Sequence, residues 1–141
     1  MKADSRTEGE VKTILHSFAD AYRKRDRKAF FECIAPDADI VMYGTGADEK
    51  SIGPEQIHIQ IERDWAQSDN AVLLFDWTTV SSLGLVAWVA VDGEFRFKAG
   101  GKDETIPARA TFVLEKREGR WLIVQAHFST PAAIQKKGHS F

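Results

Sequence analysis

Cysteine is almost absent. Cys33 is the only one in 141 residues, so the chain can form no internal disulfide and assemble no cysteine-based metal cluster. Long apolar runs are missing too. No stretch approaches the roughly 20 residues of a membrane-crossing helix, and the polar start MKADSRTEGE lacks the apolar segment of a secretory signal. Neither sign of charge is in excess: 19 Lys and Arg face 21 Asp and Glu, which gives the whole-chain field no reason to attract nucleic acid or an anionic membrane. The expectation is a cytoplasmic protein that meets neither. The four histidines, His16, His58, His127 and His139, make no closely spaced pair, so no metal is expected. Gly44-Thr45-Gly46 lacks the lysine and spacing of a nucleotide-binding loop, and no nucleophile-elbow pattern surrounds a serine. No cofactor and no catalytic residue are assigned.

What is present argues for a single α+β domain, long enough to bury about two thirds of its unfolded surface. Residues 1–9 read as a frayed end, 10–132 as the domain and 133–141 as a tail. Val11, Ile14, Leu15, Phe18 and Tyr22 recur at helical spacing, which predicts an amphipathic helix from near Glu10. Asp26 is placed to cap a short second helix over Lys28 to Ile34, which Ala35-Pro36 ends. A strand follows at Asp39 to Tyr43. A third helix opens around Pro54, with Ile57, Ile61 and Trp65 on one face and His58 at its edge. The rest is strand-like: Val72 to Val80, Leu85 to Val91, Glu94 to Lys98, and a hairpin from Thr105 to Pro131. This order predicts helices on one face of a curved antiparallel sheet.

The hairpin shows its two faces most clearly. A three-residue turn at Arg117-Glu118-Gly119 would pair Lys116 with Arg120. Period-two alternation then turns Leu114 with Leu122, Phe112 with Val124, Ala110 with Ala126, and Phe128 toward the core. The other face collects Glu115 with Trp121, Val113 with Ile123, Thr111 with Gln125 and Arg109 with His127. That mixture is too apolar for open water and too polar for a sealed interior, so something is expected to cover it. Arg109 and His127, neighbours in this register, could serve as an anion or acid–base site; the company of Trp121, Ile123 and Val113 favours a polar pair within an interface.

Four stretches carry a resemblance that spans nearly the whole chain in order: ILHSFADAYRKRDRKAF followed by PDADIVMYG; SIGPEQIHIQIERDW; LVAWVAVDG; and ARATFVLEKREGRWLIVQAHFSTP. They resemble the nuclear transport factor two-like superfamily, and within it the SnoaL-like domains related to ketosteroid isomerase. The resemblance implies a cone-shaped, cystatin-like α+β barrel: a bent sheet around the long first helix, with two further helices. It also implies a mouth that holds a small apolar ligand and a homodimer through the outer sheet face. The family's isomerase chemistry needs a carboxylate base and two hydrogen-bond donors where charge develops. The matching positions here are Met42, Phe18 and Ala110, all apolar, so that activity does not transfer.

Phe18, Tyr22, Met42 and Trp65 are the expected pocket residues from the first two thirds of the chain, and Phe112, Val124 and Phe128 from the hairpin. Tyr22 and Trp65 add a polar handle for orienting a ligand. Trp88, Arg109, Thr111, Val113, Trp121, Ile123, Gln125 and His127 are the expected dimer contacts. The reading reached is a dimeric binder of a small apolar molecule. An enzyme acting on a hydrophobic carbonyl compound is the first alternative, with Tyr22, His58 or Asp76 as its only candidate groups. An oligomerisation module is the second.

Overall fold

Asp4 caps the first helix. In the computed structural model, which describes Met1–Phe141, its side chain accepts from the Thr7 N–H at 2.7 Å, and α1 runs Ser5–Lys24. Ser5 to Gly9, expected within a frayed end, thus form the first turn and more of this helix. Ala3 is buried and donates its N–H to the Val80 carbonyl. Arg25 closes α1 in the left-handed conformation, returning its N–H to the Ala21 and Tyr22 carbonyls. Asp26 then accepts from Ala29 N–H at 3.0 Å and caps α2, Arg27–Glu32, as the sequence predicts. The third helix, α3, spans Gly53–Gln67 with Pro54 in its first turn.

Six strands follow this order: β1 Val41–Tyr43, β2 Lys50–Ile52, β3 Asp69–Leu83, β4 Val86–Ala99, β5 Lys102–Arg117 and β6 Arg120–Ser129. The short β2 was not legible in the sequence. They form one sheet in the order β2-β1-β6-β5-β4-β3. The sheet is mixed rather than wholly antiparallel, because β1 lies parallel to β6. A parallel pair cannot be closed by a tight turn, and nearly all of the intervening chain separates these two strands.

Gly93, between the expected strands Leu85 to Val91 and Glu94 to Lys98, lies within the single strand β4. A Cβ there would lie 1.9 Å from the Leu74 carbonyl oxygen, so only glycine allows β3 and β4 to approach this closely. Opposite it the register shifts between Phe75 and Trp77, leaving Asp76 as the extra residue of a bulge. On the inner face of the sheet, Val11, Leu15, Phe18 and Ala21 of α1 are buried. The Phe18 ring lies 4.7 Å from Phe30, 5.9 Å edge-on from Phe112 and 6.4 Å from Phe128.

The last hairpin needs a correction. Its turn has two residues, Glu118 and Gly119, both at positive φ (50° and 78°), which is the geometry that matches strand twist. Lys116 therefore pairs with Trp121 and Leu114 with Ile123, one residue out of the expected register. Trp121 and Ile123 turn inward and are buried, at 3% and 0% exposure. Leu122 and Val124 lose the core positions assigned to them and are only partly buried. A second irregularity at Val124 then adds one more residue, so Val113 pairs with Gln125 and Thr111 with His127. Two shifts of one restore the original faces, and Ala126 and Phe128 point inward as predicted.

Candidate functional site

A pocket of about 310 Å³ lies between the helices and the inner sheet face, at the small end of the range for ligand clefts. Phe18 and Phe30 form its sealed base, at 2% and 1% exposure. Met42 from β1, Phe95 from β4 and Phe128 from β6 continue the apolar wall, while Thr45, Gln67, Arg96 and Ile106 are exposed and open it to solvent.

One wall is polar. The Tyr22 hydroxyl donates to Asp64 Oδ2 at 3.0 Å, and Gln60 Nε2 donates to Asp64 Oδ1 at 2.8 Å. The same amide nitrogen reaches Glu49 Oε1 at 3.3 Å. Glu49 also accepts from Gly46 N–H at 2.7 Å and from Arg63 Nη2 at 3.2 Å, and Arg63 Nη1 donates to Asp48 at 2.8 Å. Helical geometry explains the assembly: Gln60 and Asp64 are one turn apart on α3, each next to a core residue, Ile61 or Trp65. Trp65 holds α3 to α1 by donating its indole N–H to the Tyr22 carbonyl at 3.1 Å.

Burial pushes the Asp64 carboxyl above its ordinary value, because the charged form is poorly solvated; the Glu49 carboxylate adds to this, while the Gln60 and Tyr22 donors and the Arg63 charge oppose it. The Tyr22 hydroxyl is raised as well, first by burial and then by Asp64. Both groups are thus held in the protonated direction. Ser51, 5% exposed, also lines the pocket.

Four of the seven expected pocket residues are here: Phe18, Tyr22, Met42 and Phe128. Trp65, Phe112 and Val124 are not among the lining residues. Trp65 is buried behind Tyr22 with its N–H committed, Phe112 is sealed in the aromatic cluster, and Val124 sits at the β6 irregularity. His58 lies outside, stacked on Phe31 with ring centroids 6.0 Å apart and its Nε2 3.8 Å from Glu62. Asp76 is exposed at the β3 bulge, also away from the pocket. Sequence reasoning missed Asp64, Gln60, Glu49 and Ser51. The available signal was the position of Gln60 and Asp64 beside the core stripe of α3.

On the outer face the register brings Trp88 beside Val113, Val113 beside Gln125, and Thr111 beside His127. Tyr43 of β1 extends this row, its ring 5.1 Å from that of His127. Arg109 is exposed but pairs with Ser129, not His127, so the two do not form a site. Trp121 and Ile123 leave the set of surface candidates because they are core residues. No three His, Cys, Asp or Glu side chains are grouped so as to hold a metal ion, and no helix is long and apolar enough to cross a membrane.

A family model described as a SnoaL-like domain matches residues 11–133. Among solved structures, a candidate calcium/calmodulin dependent protein kinase II association domain from Xanthomonas campestris is 28% identical, with 89% of this chain and 88% of that one covered and a TM-score of 0.78. A nuclear transport factor 2-like superfamily protein from Salmonella enterica serovar Typhimurium superposes with a TM-score of 0.84 over 97% of this chain and 99% of its own, at 17% identity. An uncharacterised protein with a cystatin-like fold from Caulobacter vibrioides gives 0.75 over 89% and 90%, at 14% identity. The last two likenesses show the fold alone. No curated protein matches the sequence.

Proposed function

Since the chain belongs to the SnoaL-like domain family of the nuclear transport factor 2-like superfamily, we propose that it binds a small, largely apolar molecule in the pocket between α1, α3 and the inner sheet face. One observation carries this reading. The aromatic base of the pocket is continuous with the core, yet the pocket is open at its rim and lined on one side by polar groups. A purely structural interior would close over Phe18 and Phe128. The family's isomerase groups are replaced by Met42, Phe18 and Ala110, so the reading is binding rather than that reaction.

Native mass spectrometry of protein isolated from its own host tests it. The expected result is a small bound species that denaturation releases and that is missing from Ala71→Trp, which fills the pocket from the start of β3. Ligand-free protein, or a species that persists in that variant, contradicts the reading.

A second reading, an enzyme acting on a hydrophobic carbonyl compound, is favoured because Tyr22 lies in the pocket and is hydrogen-bonded to Asp64. Its test is exchange of the α-protons of 2-tetralone in heavy water. Catalysed exchange that Asp64→Asn abolishes supports it; the buffer rate removes it. We also propose that the outer row of Trp88, Thr111, Val113, Gln125 and His127 is a homodimer contact. Exposed or half-buried side chains of mixed polarity along one strand face suit a second copy better than water.

A further inference from the structure

We propose that the ligand carries a protonated amine, held at the Asp64–Glu49 wall while its apolar part lies against Phe18, Phe30 and Phe128. This rests on the pocket being a binding site and names the chemistry of what enters it. The polar wall offers acceptors far more than donors. Gln60 spends one amide nitrogen on both carboxylates, at 2.8 and 3.3 Å, so the two are close enough for a single ammonium group to reach each. Tyr22 has already given its proton to Asp64, leaving its oxygen to accept. A carboxylate has about four lone-pair sites, and Asp64 uses one on each oxygen.

Charge points the same way. The hydrogen-bonded cluster contains three carboxylates, Asp48, Glu49 and Asp64, against one guanidinium, Arg63, which is shared between Asp48 and Glu49. Two other cations face this region. Arg25, beyond α1, is exposed and donates to the Ser68 carbonyl, and Arg96 on β4 is exposed and paired with Glu94. Both are at positions where water screens them. Asp64 is therefore left in a poorly solvated place without a cation of its own, a cost that a bound ammonium would relieve. Ser51, 5% exposed and lining the same pocket, adds a hydroxyl oxygen that can accept. An ammonium brings three donors, enough for Asp64, Glu49 and the Ser51 or Tyr22 oxygen.

The test compares two isosteric probes, 2-naphthylmethylamine and 2-naphthylmethanol, by calorimetric titration at pH 7 and at pH 4.5. The amine is expected to bind about tenfold or more tightly than the alcohol, the range for a charge-assisted hydrogen bond. That ratio should shrink as the pH is lowered, in the direction in which burial favours protonated Asp64, and should fall toward one in Asp64→Asn. Glu49→Gln, read in the same way, carries the test if Asp64→Asn does not fold by circular dichroism. Equal binding of both probes, or a ratio that survives both substitutions, overturns the amine assignment and leaves the pocket reading in place. Failure of both probes to bind removes the pocket reading and the assignment together.

Discussion

Removing the Tyr22 hydroxyl takes away one of the two donors that favour the Asp64 carboxylate. Tyr22→Phe should therefore raise the Asp64 pKa further and cost about 1 kcal/mol of stability. Following the side-chain carboxyl carbon by NMR through a pH titration reads this directly; an unchanged or lowered midpoint contradicts the hydrogen bond. Glu10 behaves with the opposite sign. Lys116, Arg6 and Trp121 all donate to it, and these bonds hold its carboxyl down at about 2 against an ordinary 4.5. Its folded-state value is depressed, so its contribution is present above pH 4.5 and is lost as the pH falls through about 2. In urea unfolding, the stability gap between the natural protein and Glu10→Gln should be constant near neutrality and narrow between those two values. A gap independent of pH would contradict the assignment. At this scale the sequence was informative where a pocket side chain sits on a core stripe, as Tyr22 does. It was silent on Asp64, because a polar residue beside a buried one looks the same whether the neighbouring space is solvent or a pocket.

Turns and bulges decide which side chains an element buries. The helices and the longer strands were legible from periodicity, and so were the cap at Asp26 and the first-turn proline, Pro54. The faces of β6 were not, because they depend on turn length and on a one-residue irregularity that no alternation pattern reveals. Trp121 and Ile123 show the consequence: each is as apolar as an interface residue and as a core residue, and only the register separates the two. Gly93 is a similar case. In sequence it marks a break, and in the fold it permits the close approach of β3 at the Leu74 carbonyl. Gly93→Ala should lower stability by about 1–3 kcal/mol, since the displaced group is backbone and cannot rotate aside. A denaturation midpoint equal to that of the natural protein would show that the two strands can separate there without cost.

For the molecule as a whole, the two faces of the sheet are assigned different tasks: the inner face forms a pocket with α1 and α3, and the outer face is proposed to meet a second copy. A charge at Val113 is the informative substitution for the second task, because this residue lies outward between Trp88 and Gln125 while Ile123 lies in the core. Val113→Glu should convert a dimer to a folded monomer in sedimentation velocity. A natural protein that is already monomeric, or a variant that stays dimeric, removes this face as the contact. The architecture was the most legible feature of the sequence, since the elements and the four matching stretches follow one another in order across nearly the whole chain. The ligand was the least legible, because the polar wall is assembled from α1, α3 and the loop before β2, which only the tertiary fold brings together. The most direct test of the pocket is a backbone amide NMR map recorded while 2-naphthylmethylamine is added. The account predicts shifts concentrated at Phe18, Tyr22, Met42, Asp64 and Phe128, with Trp88, Val113 and Gln125 unmoved; no shifts, or shifts confined to the outer face, would contradict it.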